Sequence, residues 1–286
     1  MALSYFALLL CSQTALGQSA PASPRWADIL APAAVTWPAP LPRVTWRTDL
    51  SAAIDEARRD SRPLFVTLRC LPCKQCADFD KDVLEGGPLL EPLLRQFVTV
   101  RLTDMRELDL RLLPVAQWQD LDLSWWGWFL DPAGRVYGVF GGRDEISDTT
   151  RISAAALAAT LRRVLDHHYD PRRSQWNIDA AAPALGGRPR TPVDLPGYAS
   201  WRRIKPAAAG ADNCLHCHKV AEILRQPAID AGRFDKRRDF DDWPFPENVG
   251  LTLERDDGLR VRTVRPESPA ARAGLRRGDE LAAAGG

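Results

Sequence analysis

Excess charge of either sign is missing from this 286-residue chain: 38 basic residues stand against 37 acidic ones, for a net charge of +1. Binding through nucleic-acid phosphates rests on a basic surplus, so composition makes no case for a nucleic-acid partner. Methionine is scarce, at two residues. Beyond the first 20 residues no apolar run is long enough to span a membrane. There is no Gly-x-Ser-x-Gly, no His-Glu-x-x-His and no persuasive triad, which argues against a processive protease. What is present suits a globular protein. Apolar residues make up 45%, and the length allows about two domains. The 23 prolines cluster outside the periodic segments, as expected for several units joined by extended linkers.

Residues 1–20, MALSYFALLLCSQTALGQSA, have the form of a secretory signal: an apolar stretch from Ala2 to Cys11, then Ala15, Gly17 and Ala20 as small residues suited to cleavage. Cys11 lacks the small residue before it that a lipoprotein site needs. Export places the remaining chain in an oxidising compartment, the periplasm or cell envelope. It would keep five cysteines, an odd number, so at least one thiol is left without a partner in the chain. Residues 21–43 are Pro/Ala-rich and read as a linker.

The most informative stretch is 64–82, LFVTLRCLPCKQCADFDKD. Leu64 to Leu68 is an apolar, β-branched run typical of a buried strand. It ends at Cys70, Cys73 and Cys76, and Phe79, Val83 and Leu84 then recur at helical spacing. Strand, cysteine turn and helix is how a redox dithiol is built: the first thiol meets the free N–H groups and positive dipole end of the helix, which favour thiolate. The alternatives are a structural disulfide or a metal clip. Around it, Ser51 to Asp60 reads as a helix capped by Ser51 or Asp49, 88–96 as a short helix, and Phe97 to Leu102 as a second strand. Trp126 to Leu130 and Arg135 to Phe140 flank Asp131-Pro132-Ala133-Gly134 as an antiparallel hairpin. Ser153 caps a helix running to about His167. This order predicts the α/β class, one sheet with helices packed on it.

Residues 44–168 resemble a thioredoxin-like domain, in the subgroup with a short helix before the first strand. The likeness rests on RPLFVTL, the CxxC, Asp80 in KQCADFD, FVTVRL and FLDPAGRVYGVFGGR. It implies thiol–disulfide chemistry. Cys70-Leu71-Pro72-Cys73 has the local look of the thioredoxin box, but downstream spacing puts Cys73-Lys74-Gln75-Cys76 in register. The favoured assignment is Cys73 as attacking thiol, Cys76 as resolving thiol and Cys70 as an auxiliary. Thioredoxins place a cis-proline opposite the dithiol. Here that position falls near Trp125, and general disulfide exchange is correspondingly put in question.

Residues 169–212 lose periodicity and are expected to form a linker. In 213–242, Cys214-x-x-Cys217-His218 is the attachment pattern of c-type haem, two thiols for the vinyl groups and a proximal histidine. A sixth ligand would have to be His167, His168, Met105, a residue from another chain, or nothing. A Cys214–Cys217 disulfide and a zinc half-site are the alternatives. Residues 243–286 resemble the first half of a bacterial PDZ domain, through ENVGLTL, VRTV, SPAARAGL and RRGDEL. The resemblance implies capture of a peptide C-terminus by Asn248, Val249, Gly250 and Leu251. The second helix and closing strands of that family are not reached by Gly286, so a truncated, partial PDZ-like α+β domain is expected.

The combination resembles a family of exported bacterial proteins that join a thioredoxin-like domain to a C-terminal PDZ domain, some with selenocysteine in the redox motif. It implies an envelope thiol–disulfide oxidoreductase acting on a protein thiol or disulfide client. A haem-bearing electron carrier and a non-enzymatic adaptor with structural cysteines are the competing readings.

Overall fold

A largely apolar strand forms the middle of the fold because sheet covers it on both edges and side chains cover it on both faces. The computed structural model describes residues 34–69, 74–85, 87–119, 121, 124–143, 153–176, 183, 185–205, 215–239 and 245–281. These lie in the second of two units into which the chain divides, Met1–Pro32 and Ala33–Gly286. The expected signal segment lies outside the described residues.

In chain order, α1 is Leu50–Asp60, β1 Leu64–Leu68 and α2 Lys74–Phe79, which continues as a π-helical turn over Asp80–Leu84. Then follow α3 (Glu91–Leu94), β2 (Val98–Leu102), a 3-10 turn (Met105–Glu107), α4 (Val115–Trp118), β3 (Ser124–Leu130), β4 (Val136–Arg143) and α5 (Ala154–Tyr169). Beyond these come α6 (Arg173–Trp176), α7 (Tyr198–Ile204), α8 (Cys217–Asp230), α9 (Lys236–Asp239), β5 (Leu251–Leu253), β6 (Val261–Val264) and α10 (Pro269–Arg272). The class is mixed α/β.

The main sheet has the order β2-β1-β3-β4. β2 runs parallel to β1, with Leu68 opposite Leu102. β3 runs antiparallel on the other side, with Leu68 opposite Trp126. All five residues of β1 are buried, as a strand covered on both faces requires. Leu64, Val66 and Leu68 join α1 residues Ala53, Ile54 and Ala57 in one core layer. Phe65 joins Phe97, Phe129 and the α5 residues Leu157, Leu161 and Leu165 in the other. Each such side chain, fully buried, contributes about 1.5–3 kcal/mol relative to exposure.

Local signals are met with small shifts. Asp49 caps α1 by accepting from Ala52 N at 3.0 Å, and Ser153 caps α5 through Ala156 N at 3.0 Å. In the hairpin turn, Asp131 Oδ1 accepts from Ala133 N and Arg135 N, each at 2.8 Å. The helix expected over 88–96 is α-helical only at Glu91–Leu94. Its C-terminal flank tightens into three-residue turns, Gln96 N to Leu93 O at 2.9 Å and Phe97 N to Leu94 O at 3.0 Å, which bring the chain directly into β2.

The stretch expected to be a linker, 169–212, is different. It contains α6 and α7, and Trp201 in α7 is buried in the same core layer as β1, together with Leu215, which precedes α8, and Val220, Ala221 and Ile223 of α8. Trp201 Nε1 donates to Glu222 Oε2 at 2.7 Å, which fastens α7 to α8. One aromatic anchor supplies what periodicity does not signal. The C-terminal piece has a small cluster of its own, Leu251, Val261 and Ala270. It meets the main sheet's α5 through Arg163 and Asp257, at 2.9 Å. Among the described residues no helix is long and apolar enough to cross a membrane.

Candidate redox site and a second cysteine motif

The register brings the end of β1, the end of β2 and the start of β3 to one edge of the sheet, and the cysteine turn departs there. Arg69 N–H donates to Leu102 O at 3.1 Å, so the residue before Cys70 is tied to the end of β2. Cys70 and Cys73 lie outside the described residues; Cys76 belongs to the backbone of α2. One turn beyond Cys76 comes Asp80, only 3% exposed. Its Oδ2 is 3.0 Å from Arg69 Nε and 3.2 Å from Arg101 Nε. Arg101 also pairs with Glu85 at 2.6 Å and lies over the Trp46 ring at 4.4 Å. Burial pushes the Asp80 carboxyl above its ordinary value, outweighing the pull of Arg101 and then Arg69. The contacts are ion pairs without hydrogen-bond geometry, so the two guanidiniums neutralise the carboxylate without fully solvating it.

Trp125 faces this cluster from β3. It is 1% exposed and holds φ at 52°, a left-handed conformation that costs a non-glycine residue on the order of 1–2 kcal/mol. Its ring packs on Phe79 of α2, centroids 4.5 Å apart. The cross-strand neighbour makes the bend fit: a Cβ on Gly141 would stand 2.5 Å from the Trp125 carbonyl oxygen. Trp126 and Trp128, at 5% and 0% exposed, belong to the core. Arg69, Arg101 and the bent Trp125 escape sequence reading. The one available signal is a pair of arginines at the ends of otherwise apolar strands.

The second motif is docked against the same sheet. Cys214 lies outside the described residues. Cys217 is the first residue of α8, after His216 as N-cap. Gln119 Nε2 donates toward Cys217 Sγ at 3.6 Å. Gln119 is 1% exposed and is held from behind, its Oε1 accepting from Trp128 Nε1 at 2.9 Å. Met105 Sδ is 4.0 Å from Cys217 Sγ. Met105 N donates to Leu215 O at 3.3 Å, and Leu215 N to Asp104 Oδ1 at 3.5 Å. Nothing in the sequence marks Gln119.

These residues do not fit a haem held jointly by Cys217 and His218. The Cys217 thiol is turned inward onto Gln119 and Met105, while His218 is on the exposed side of α8 beside His216, ring centroids 5.4 Å apart. His168, one of the residues weighed as a distal ligand, is committed elsewhere. Its Nε2 donates to Ser61 O at 3.2 Å and its Nδ1 is 2.8 Å from Tyr137 Oη, beside the opposite end of β1. Among the described residues no group of three or more histidine, cysteine or acidic side chains is placed to hold a metal.

At the C-terminal piece, Asn248 N donates to Phe245 O at 2.9 Å and Gly250 N to Glu247 O at 3.1 Å. Leu251 pairs with Val264, and Val249 is exposed. Two of the four expected peptide-capturing positions therefore use their N–H groups inside a 3-10 turn. Gly250 is required there: φ is 88°, and a Cβ would stand 2.2 Å from Ser268 Cβ. A cleft of about 850 Å³ separates β4 and α5 from this piece, lined by Trp126, Val139, Phe140, Thr252 and Arg262 among others.

Compared with known families, residues 45–113 match a model described as thioredoxin-like. The match runs from the lead-in to α1, through the cysteine turn, to the segment after β2, and β3 and β4 complete the sheet outside it. No curated protein matches the chain. The chain thus contains a thioredoxin-like domain, which supports a redox role.

Proposed function

We propose that the chain is a thiol–disulfide oxidoreductase of the cell envelope, with Cys73 and Cys76 as its working pair. The observation that carries this reading is a thioredoxin-like domain over residues 45–113 in which α2 opens at Lys74, the residue after Cys73 in sequence, with Cys76 in its first turn. The Cys73 thiolate attacks one sulfur of a client disulfide and expels the other as thiolate. The Cys76 thiolate then attacks Cys73 in the mixed disulfide, releasing the second client thiol. Asp80, one turn beyond Cys76 in sequence and with its carboxyl raised above the ordinary value by burial, is the group assigned as base for the Cys76 proton. Arg69 and Arg101 supply positive charge that favours thiolate at this end of the sheet.

The N-terminal segment supports export, and the PDZ-like sequence of the C-terminal piece supports a client-recruiting role for it. The cleft beside β4 would then receive the recruited segment. The test is an insulin-reduction assay on the full chain. Cys73→Ser should fall to the uncatalysed background; a variant as fast as the parent refutes the assignment.

A further inference from the structure

The main sheet treats its two edges differently. At β2 the chain seals its own edge. Arg47 lies beside Val100 in a parallel bridge, its N–H donating to Thr99 O at 3.0 Å and its carbonyl accepting from Arg101 N at 2.8 Å. At the other end of the strand order stands β4, and among the described residues no backbone group pairs with its outer side. An unpaired edge is a template for another strand and is ordinarily blunted by proline or lysine. The eight residues of β4, VYGVFGGR, contain neither.

The cleft beside β4 runs along this edge. Its lining joins residues 139–142 of β4 to Trp126 of β3 and to Thr160 and Arg163 of α5. Trp126 belongs to the core layer shared with α1, whereas α5 covers the opposite face of the sheet. A cleft that reaches both faces passes over the edge. Its far wall is the β5–β6 hairpin, held across the gap by the Arg163–Asp257 pair. Charge on the lining balances, with Arg163, Arg255 and Arg262 against Glu247, Glu254 and Asp257. Val139, Phe140, Leu253 and Leu259 supply apolar contact. The wall therefore complements a neutral, apolar occupant, and the edge demands backbone donors and acceptors at strand spacing. An extended polypeptide segment meets both demands. A charged peptide C-terminus does not, and the N–H groups of Asn248 and Gly250 expected to hold its carboxylate are bonded within the 3-10 turn.

We propose that β4 is the client-docking edge: a neutral, apolar-rich internal segment of a non-native client polypeptide adds to the four-stranded sheet there as a further strand, inside the cleft. The proposal deepens the client-recruiting role given above and rests on it. Recognition comes from the client's backbone and its alternate apolar side chains, so the site reads an extended, unfolded segment and not a chain end.

The experiment adds to the full chain a fluorescein-labelled peptide of alternating valine and threonine, blocked at both ends and matched to the eight residues of β4. Saturable binding by anisotropy is expected, with slower amide exchange over residues 139–142. The same peptide N-methylated at alternate residues keeps its side chains and loses half its donors, and it should bind about tenfold more weakly. Equal affinity for the two peptides, or protection that falls on residues 248–251 instead, overturns the proposal. Tighter binding of a version with a free C-terminal carboxylate also overturns it, as the mark of C-terminal capture. So does a dimer in sedimentation that protects β4 without peptide, as the mark of a second copy on this edge. Val139→Lys places a charge on the edge and should weaken binding by a similar factor; the N-methyl comparison, made on the parent chain, decides the matter if that variant does not fold. Insulin reduction by the parent separates the outcomes. Insulin reduced without peptide binding removes the docking edge and leaves the oxidoreductase reading. Peptide bound without insulin reduction removes the oxidoreductase reading and leaves the edge.

Discussion

The two cysteine motifs share a spacing and a place at the start of a helix, and differ in what supports them. Beneath the first is a buried cluster of charge, Asp80 between Arg69 and Arg101. Behind the second is a neutral clamp of Gln119, Trp128 and Met105. Charge acts over several ångströms and tunes ionisation, whereas the clamp fixes where a sulfur points. The same four-residue pattern therefore becomes two different sites according to the residues that distant parts of the chain place behind it.

The comparison breaks most severely at Trp128, which is 0% exposed. Trp128→Ala should cost about 3–5 kcal/mol, read as a lowered urea midpoint, and should also release Gln119 and speed alkylation of Cys217. A loss below about 1 kcal/mol would show that the second motif does not depend on the sheet core. On the side of the first motif, Gly141→Ala would force a Cβ to within 2.5 Å of the Trp125 carbonyl oxygen. The backbone shift should cost about 1–3 kcal/mol, checked by denaturant unfolding, and an unaffected midpoint would mean that Trp125 is not held in its bend by that contact.

The charge cluster predicts a pH signature confined to the first motif. Asp80 is raised above 3.8, so the folded state holds its proton more tightly than the unfolded chain does. Its contribution is fully present below 3.8 and is lost as pH climbs through the raised value. The limiting slope between the two is about 1.4 kcal/mol per pH unit. Asp80→Asn should lack that slope. Stability curves of parent and variant that stay parallel across the window would remove Asp80 as its source. The smallest effect belongs to the turn that docks the second motif. Asp104 accepts from Arg106 N at 3.0 Å and from Leu215 N at 3.5 Å, so Asp104→Ala should cost about 1 kcal/mol. Faster amide exchange at Arg106 and Leu215 is the check.

Legibility followed the range of the forces involved. β1 was readable because four apolar residues and one β-branched threonine in five consecutive positions suit a strand buried on both faces. The Ser153 cap and the Asp131 turn were readable because their bonds close within a few residues. Trp201 was not, since a seven-residue helix with one large aromatic carries no period. Trp125 was readable as an aromatic at the cysteine site but not as a bent residue, because Gly141 across the strand pair makes the bend fit.

The sequence by itself determined the mixed α/β class, the thioredoxin-like succession from α1 to β2 and the positions of both cysteine pairs. These depend on side-chain periodicity and on spacing within a few residues. Tertiary structure alone decided that Asp80 meets two arginines, that Gln119 and Met105 meet Cys217, and that the second motif lies against the first motif's sheet. Those contacts join residues up to 112 positions apart, and only the packing of one core, which places the ends of β1 and β2 side by side, brings them within bonding distance.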